Sequence, residues 1–298
     1  GSTVKYGVQF KNWNGVGLIP FASGSYGIQF DTTKFPQFVI PRLHKMYPNF
    51  SEKVRTVKKI KSLGRKVSLD GEEYDFVVDC RGYPEDYSDY IISDKVYLDS
   101  AIAVRSYTPG DWEYTYHIAH KHGWMFGLPL QSRTGWGYLY NSKLTSQLEA
   151  QDDVARILEE YQVEFHSKDC REFSFKNYYA KSVMNEDGNI FVNGNRALFL
   201  EPIQATSLGC YGLINEMILD RIENDRYDNE NYRKIMTEVI AFINLHYYNG
   251  SDFDTPFWNM AKQGARDLFK GMDVSKYDWN HILDWNPQFR RQMFDNFL

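Results

Sequence analysis

With 298 residues, 43% apolar and 16% aromatic, the chain has enough nonpolar surface for a full core and is excluded from the disordered classes. Its 34 basic and 39 acidic side chains give a net charge of −5 without long runs of either sign, which leaves no electrostatic footprint for nucleic acid or an anionic membrane. No apolar run reaches bilayer-spanning length and no signal-peptide pattern opens the sequence. Cys80, Cys170 and Cys210, odd in number and without a C-x-x-C pair, fit reduced thiols in a cytoplasmic protein.

In chain order, Val4, Tyr6, Val8 and Phe10 alternate with Lys5, Gly7 and Gln9, a period of two that predicts one strand with Lys5 on the face opposite the apolar set. Tyr26 to Phe30 reads as strand, and Phe35 to Met46 as a helix interrupted by Pro41. Short strands fill Val54 to Asp70, with Asp70-Gly71 as a hairpin turn. Tyr74 to Cys80 reads as a buried strand running into a turn at Arg81-Gly82-Tyr83. Strands follow at Val96 to Tyr107, Tyr114 to His120 and Gly135 to Tyr140. Val154, Ile157, Leu158 and Tyr161 share one helical face, so a helix covers about Thr145 to Tyr161. After a strand at Phe173 to Phe175, two helices follow: one carrying Ile214, Met217, Ile218 and Ile222, the other spanning Tyr232 to Tyr248. Strands come first and helices last, a mixed α/β chain with a core over 1–205 and a helical part over 206–298.

Three segments carry chemistry. Trp124-Met125-Phe126-Gly127-Leu128-Pro129 pairs two aromatics two residues apart with a glycine and a proline, which predicts an extended, packed segment with a rigid stop. Phe199-Leu200-Glu201-Pro202-Ile203-Gln204-Ala205-Thr206-Ser207 runs into a helix. Thr206 and Ser207 fall where free backbone N–H groups and the positive dipole end attract an anion, although Ser and Thr there are also ordinary caps. Lys5 is the third; most lysines on strand faces are merely solvated. His117, His120 and His122 lack the spacing and carboxylate of a metal site and read as packing or surface residues. Cys80 and Cys210 lie in apolar segments and read as small buried hydrophobes.

Taken together, the segments resemble the flavin-dependent halogenases of the tryptophan halogenase-like group. The first is similar to their W-x-W-x-I-P signature, with Phe126 for the second Trp and Leu128 for Ile. The second is similar to F-x-E-P-L-E-[SA]-T-[GS], and the strand around Lys5 to the one bearing their catalytic lysine. Asp75 to Gly82 resembles D-x-x-[VI]-D-C-[ST]-G of related flavin monooxygenases, with Arg81 as the departure, and Asp254-Thr255-Pro256-Phe257-Trp258 resembles a run in the halogenase C-terminal helices.

The resemblance implies a p-hydroxybenzoate hydroxylase-like flavoprotein core with a helical C-terminal part. It implies FAD, supplied as FADH2 by a separate flavin reductase, together with oxygen, a halide and a small aromatic substrate. Halide held near Thr206 and Ser207 becomes hypohalous acid, which is relayed to Lys5 and halogenates an electron-rich ring. Lys5 and Gln204 are the implied catalytic residues. Trp124, Phe126 and Pro129, with Glu201 and Pro202, are implied on the cofactor side, the first three keeping the flavin and substrate sites apart. No metal is implied, and self-association through aromatic surface suits the composition.

Two departures bear on this. No G-x-G-x-x-G turn for the cofactor pyrophosphate occurs, so the first cofactor-binding unit is expected to be missing or truncated. Gln204 stands where many tryptophan-specific members have Glu; an amide can orient an oxidant but cannot act as a carboxylate base, so substrates activated by their own rings, phenols or indoles, are expected. The short Asp278 to Leu298 segment matches the tryptophan-closing region poorly, which also points to a broad acceptor range. A hydroxylating flavin monooxygenase, and a halogenase-like binding domain without turnover, stay open as alternatives.

Overall fold

A computed structural model of the chain describes residues 2–272. The elements begin with β1 (Ser2–Lys5), β2 (Gly7–Lys11), β3 (Leu18–Pro20), β4 (Gly27–Phe30), α1 (Phe35–Met46), β5 (Ile60–Ser62), β6 (Val67–Leu69), β7 (Glu72–Tyr74), β8 (Val77–Asp79) and β9 (Tyr90–Ile92). Then come β10 (Ser100–Ser106), β11 (Tyr114–His120), β12 (Gly123–Leu130), β13 (Arg133–Tyr140), α2 (Gln147–Glu160) and β14 (Cys170–Ser174). The last are β15 (Tyr178–Ala180), β16 (Ile190–Val192), β17 (Leu198–Phe199), α3 (Thr206–Asn224), α4 (Asn229–Asn249) and α5 (Pro256–Lys270). Contacts divide them into two compact units, each discontinuous in sequence. One draws its described residues from Gly1–Phe50, Tyr97–Phe175 and Ala241–Leu298, the other from Ser51–Val96 and Lys176–Ile240.

The first unit is built on a seven-stranded sheet in the order β14-β10-β13-β12-β11-β2-β3. Two-residue turns at Lys121-His122 and Gln131-Ser132 join β11, β12 and β13 into an antiparallel meander, with His120 opposite Gly123 and Leu130 opposite Arg133. Because side chains alternate across a strand, each strand feeds two environments. Ile118, Met125, Trp136 and Tyr138 face α2 and its Ala150, Val154, Ile157 and Leu158. The helix is started by a capping box in which the Ser146 side chain and Glu149 satisfy each other's backbone N–H groups. Each such buried apolar side chain contributes roughly 1.5–3 kcal/mol.

The second unit holds the β5-β6-β7 meander, the parallel pair β8/β16, the sheet β17-β15-β9, and α3. Its Asp70-Gly71 turn has both residues in the left-handed region, as a two-residue hairpin loop requires.

Three local expectations are corrected. The Val4–Phe10 strand breaks at Tyr6: a Cβ at Gly7 would come within 2.5 Å of the Ile19 carbonyl, so the chain passes tightly there and continues as β2 beside β11. Val4 and Tyr6 are consequently exposed, and the face carrying Lys5 is the more buried one. The Tyr74–Cys80 run is broken: Tyr74 ends β7 and only Val77–Asp79 forms β8, and Phe76, Val78 and Cys80 are exposed because β8 pairs with β16 alone among the described strands. Pro129 does not stop its segment; it sits inside β12 opposite Thr134. The Asp278 to Leu298 segment lies outside the described residues.

Candidate active site

Lys5 ends β1 with Gly27 of β4 opposite it. A Cβ at position 27 would fall 2.9 Å from Lys5 Cε and 3.2 Å from the Phe21 ring, so the glycine leaves the slot in which the lysine stem lies. Lys5 Nζ is 5.6 Å from the Phe21 ring centroid and donates to Thr115 Oγ1 at 3.0 Å. The same oxygen accepts from Gln29 Nε2 at 2.8 Å. Among the described residues no carboxylate pairs with Lys5, and burial lowers its pKa to about 8.

Thr115 and His117 lie on the β11 face opposite Ile118, and so does the aromatic face of β12. His117 is stacked between Phe10, at 5.0 Å between centroids, and Trp124, at 5.1 Å. Burial first, then the charges of Lys5 and His246, hold its imidazole well below the ordinary histidine range. Trp124 is fully buried, and its indole N–H donates to the Tyr247 hydroxyl at 3.0 Å. Phe126, half-buried, lies across Gly137, where any Cβ would collide with its ring. Pro129 is buried, and its carbonyl accepts from Thr3 Oγ1, two residues from Lys5. The Asp254–Trp258 run caps α5 and pins the β11–β12 hairpin: Trp258 Nε1 donates to the His120 carbonyl at 2.7 Å, and Thr255 Oγ1 to the Lys121 carbonyl at 2.7 Å. Lys5, Trp124, Phe126 and Pro129 thus belong to one unit.

In the second unit the Leu200–Ser207 tract forms an irregular turn. Glu201 is fully buried and its backbone N–H donates to Asn177 Oδ1 at 2.9 Å. After Pro202, Gln204 and Ala205 both take left-handed conformations, φ 51° and 57°, without a glycine. Thr206 Oγ1 donates to the Ile203 carbonyl, while Ser207 Oγ accepts from the Leu200 N–H and donates to its carbonyl, both at 3.2 Å. Both hydroxyls are therefore consumed in shaping the turn. The N-cap of α3 is Ala205, with no side-chain cap; the Ala205 and Thr206 N–H groups already donate to the Pro202 and Ile203 carbonyls, which leaves the N–H groups after Thr206 as the anion-attracting feature.

The same unit contains a cavity of about 770 Å³ near the carboxyl ends of the parallel strands β8 and β16, lined in part by Asp79, Arg81, Tyr90, Lys181 and Arg196. Glu85, Asp86, Asp89 and Glu186 also line it, so together with Asp79 the carboxylates outnumber the three cations and the lining does not favour a phosphate. Arg81 grips Asp79 with two hydrogen bonds of 2.9 and 2.8 Å, and Arg196 lies 3.4 Å from the same carboxylate. Burial opposes ionisation of Asp79, but these arginines outweigh it and keep its pKa low.

Sequence patterning missed Gln29 and Thr115. Thr115 reaches Lys5 across 110 residues and Gln29 reaches Thr115 across 86, and neither residue type carries a local signal for such pairing.

A family model described as tryptophan halogenase matches residues 52–273, well over half of the chain, and leaves Lys5 outside the matched range. Tryptophan 7-halogenase RebH of Lentzea aerocolonigenes is 26% identical over 212 residues, covering 63% of this chain and 38% of that protein. The chain thus spans less than half the length of the curated relatives it matches. Among solved structures, BrvH, a flavin-dependent halogenase from Brevundimonas sp. BAL3, superposes with a TM-score of 0.74 at 19% identity, over 95% of this chain and 76% of that one. A tryptophan halogenase from Shewanella frigidimarina NCIMB 400 superposes with a TM-score of 0.72 at 18% identity, over 93% and 69%. The mixed α/β fold with its helical C-terminal part is therefore shared with flavin-dependent halogenases. On the extent of the family match, the chain belongs to the tryptophan halogenase family.

Proposed function

We propose that the protein is a flavin-dependent halogenase that transfers an oxidised halogen to an electron-rich arene at Lys5. The observation that carries this reading is a largely buried lysine with no carboxylate partner among the described residues, whose amine bonds Thr115 on the β11–β12 face that also carries His117, Trp124 and Phe126. A buried ammonium without an ionic partner is costly, so its retention points to a task. Here it keeps donors for an incoming oxidant, because Thr115 uses only one of the three N–H groups.

Lys5 as ammonium donates a hydrogen bond to the oxygen of hypohalous acid and polarises the oxygen–halogen bond. The ring attacks the halogen, that bond breaks, and the ring proton leaves with the departing oxygen as water. Trp124, Phe126 and Pro129 wall the lysine side from the cofactor side. Gln204 orients by hydrogen bonding without acting as a base. Glu201 and Pro202 hold the shape of the tract on the flavin side, and halide is drawn toward Thr206 and Ser207 by the N–H groups that follow Thr206 at the start of α3. FAD, delivered as FADH2 by a separate reductase, supplies the oxygen activation that oxidises halide.

The free thiols suit a reducing compartment such as the cytoplasm, and no helix among the described residues is long and apolar enough to cross a membrane. The test is an incubation with FAD, a flavin reductase, NADH, oxygen, an indole or phenol, and chloride, bromide or iodide in turn. Halide-dependent halogenated product lost in Lys5→Ala is expected. Hydroxylated product independent of halide would identify a monooxygenase, and binding of the arene without product a non-catalytic domain.

A further inference from the structure

We propose that Thr115, locked by Gln29, is a positioning residue that aims the Lys5 amine, and that Thr3 ties this clasp to Pro129 at the end of the aromatic wall. The catalytic consequence rests on the halogenase reading of Lys5; the clasp itself rests on the geometry.

Thr115 and Gln29 are 6% and 7% exposed, so their polar groups have to be satisfied within the protein. Register places them: Thr3 lies opposite Gln29 and Lys5 opposite Gly27 across β1 and β4, so all four occupy neighbouring positions of one small sheet. Gln29 uses both ends of its amide. Its Oε1 accepts from Thr3 Oγ1 at 3.3 Å, and its Nε2 donates to Thr115 Oγ1 at 2.8 Å. The single proton of Thr3 Oγ1 is shared between the long contact to Gln29 and the Pro129 carbonyl, the nearer of its two acceptors. A hydroxyl oxygen has two lone pairs, and the donors from Gln29 and Lys5 fill both at Thr115.

The oxygen facing Lys5 is thereby fixed by a polar relay running from Pro129 through Thr3 and Gln29. Packing alone would favour apolar side chains here, since each buried polar group costs stability unless paired. Gly27 and Phe21 define the slot for the stem, and Thr115 defines where the nitrogen comes to rest. His117, two residues along β11 and held neutral, is the titratable group facing the amine from that strand.

The test is competitive labelling of Lys5 with acetic anhydride across pH in the full chain, read by mass spectrometry, alongside turnover with reductase, FAD and bromide. In wild type the labelling midpoint is expected near 8. Thr115→Val removes an acceptor from the charged form and should lower the midpoint by about one unit. It should also reduce kcat by about tenfold to a hundredfold with little change in KM. Thr115→Ser should restore both, and Gln29→Leu should shift the midpoint the same way by less. Thermal melts identify variants that do not fold, and if Thr115→Val is one of them, Gln29→Leu carries the test. An unchanged midpoint and turnover in folded Thr115→Val and Gln29→Leu would overturn the clasp while leaving the halogenase reading intact. A shifted midpoint in a protein that halogenates nothing would sink that reading and leave the clasp standing.

Discussion

Around Lys5, side chains are placed by register: β1 against β4 and β11 against β2 and β12 set the lysine, Gln29, Thr115 and Trp124 through ladders of regular backbone hydrogen bonds. Around Thr206, placement comes from a turn with two consecutive left-handed residues and two hydroxyls folded back on their own backbone. Register spreads its constraint over many residues, so that a single side chain can be buried at a cost the sheet absorbs. A strained turn concentrates it in two or three residues. The first arrangement suits a charged group held at low exposure, and the second suits backbone N–H groups aimed at a small anion.

Substitutions can break this contrast. The largest effect is expected at Gly123, where any Cβ would collide with the Leu139 carbonyl; Gly123→Ala should cost more than about 4 kcal/mol in denaturant unfolding. Trp124→Phe removes the hydrogen bond to Tyr247 and part of a fully buried ring, and should cost about 2–3 kcal/mol. Lys5→Met should instead stabilise the protein at pH 7 by about 2 kcal/mol.

The sign for Lys5 follows from its depressed pKa. Between about 8 and the ordinary 10.5 the unfolded chain binds the proton that the folded one has released, so wild-type stability rises with pH across that window. The advantage of Lys5→Met should therefore be full below pH 8 and fade toward 10.5, as unfolding curves at several pH values would reveal. The smallest effect sharpens the other half of the contrast. Gln204→Gly relieves a left-handed residue and should stabilise by about 1 kcal/mol, with a raised Tm. Unchanged stability there would mean that the tract is not strained.

How much of this was legible in the sequence follows the same division. The helix at Gln147–Glu160 was readable because its apolar period and its Ser146–Glu149 box are local signals. The Phe35–Met46 helix was readable too, although it buries none of its side chains. The resemblance pointed to Lys5, Trp124 and the Glu201–Ser207 tract as segments worth locating. It could not convey that Val4 and Tyr6 face outward, since that depends on the break before Gly7. The apolar run Phe76–Val78 was misread as buried because periodicity reports a side chain's character and not its strand's neighbours. Gln204 and Ala205 gave no turn signal, as neither is a glycine or an asparagine. Thr115 and Gln29 stayed silent because their meaning is entirely in long-range pairing.

Central to the account is a lysine kept at a cost to stability because it handles an oxidised halogen. The most direct measurement is halogenated product formed by Lys5→Met, assayed beside its unfolding free energy at pH 7. The account predicts a protein more stable than wild type that makes no halogenated arene. A Lys5→Met protein that halogenates at the wild-type rate would contradict it.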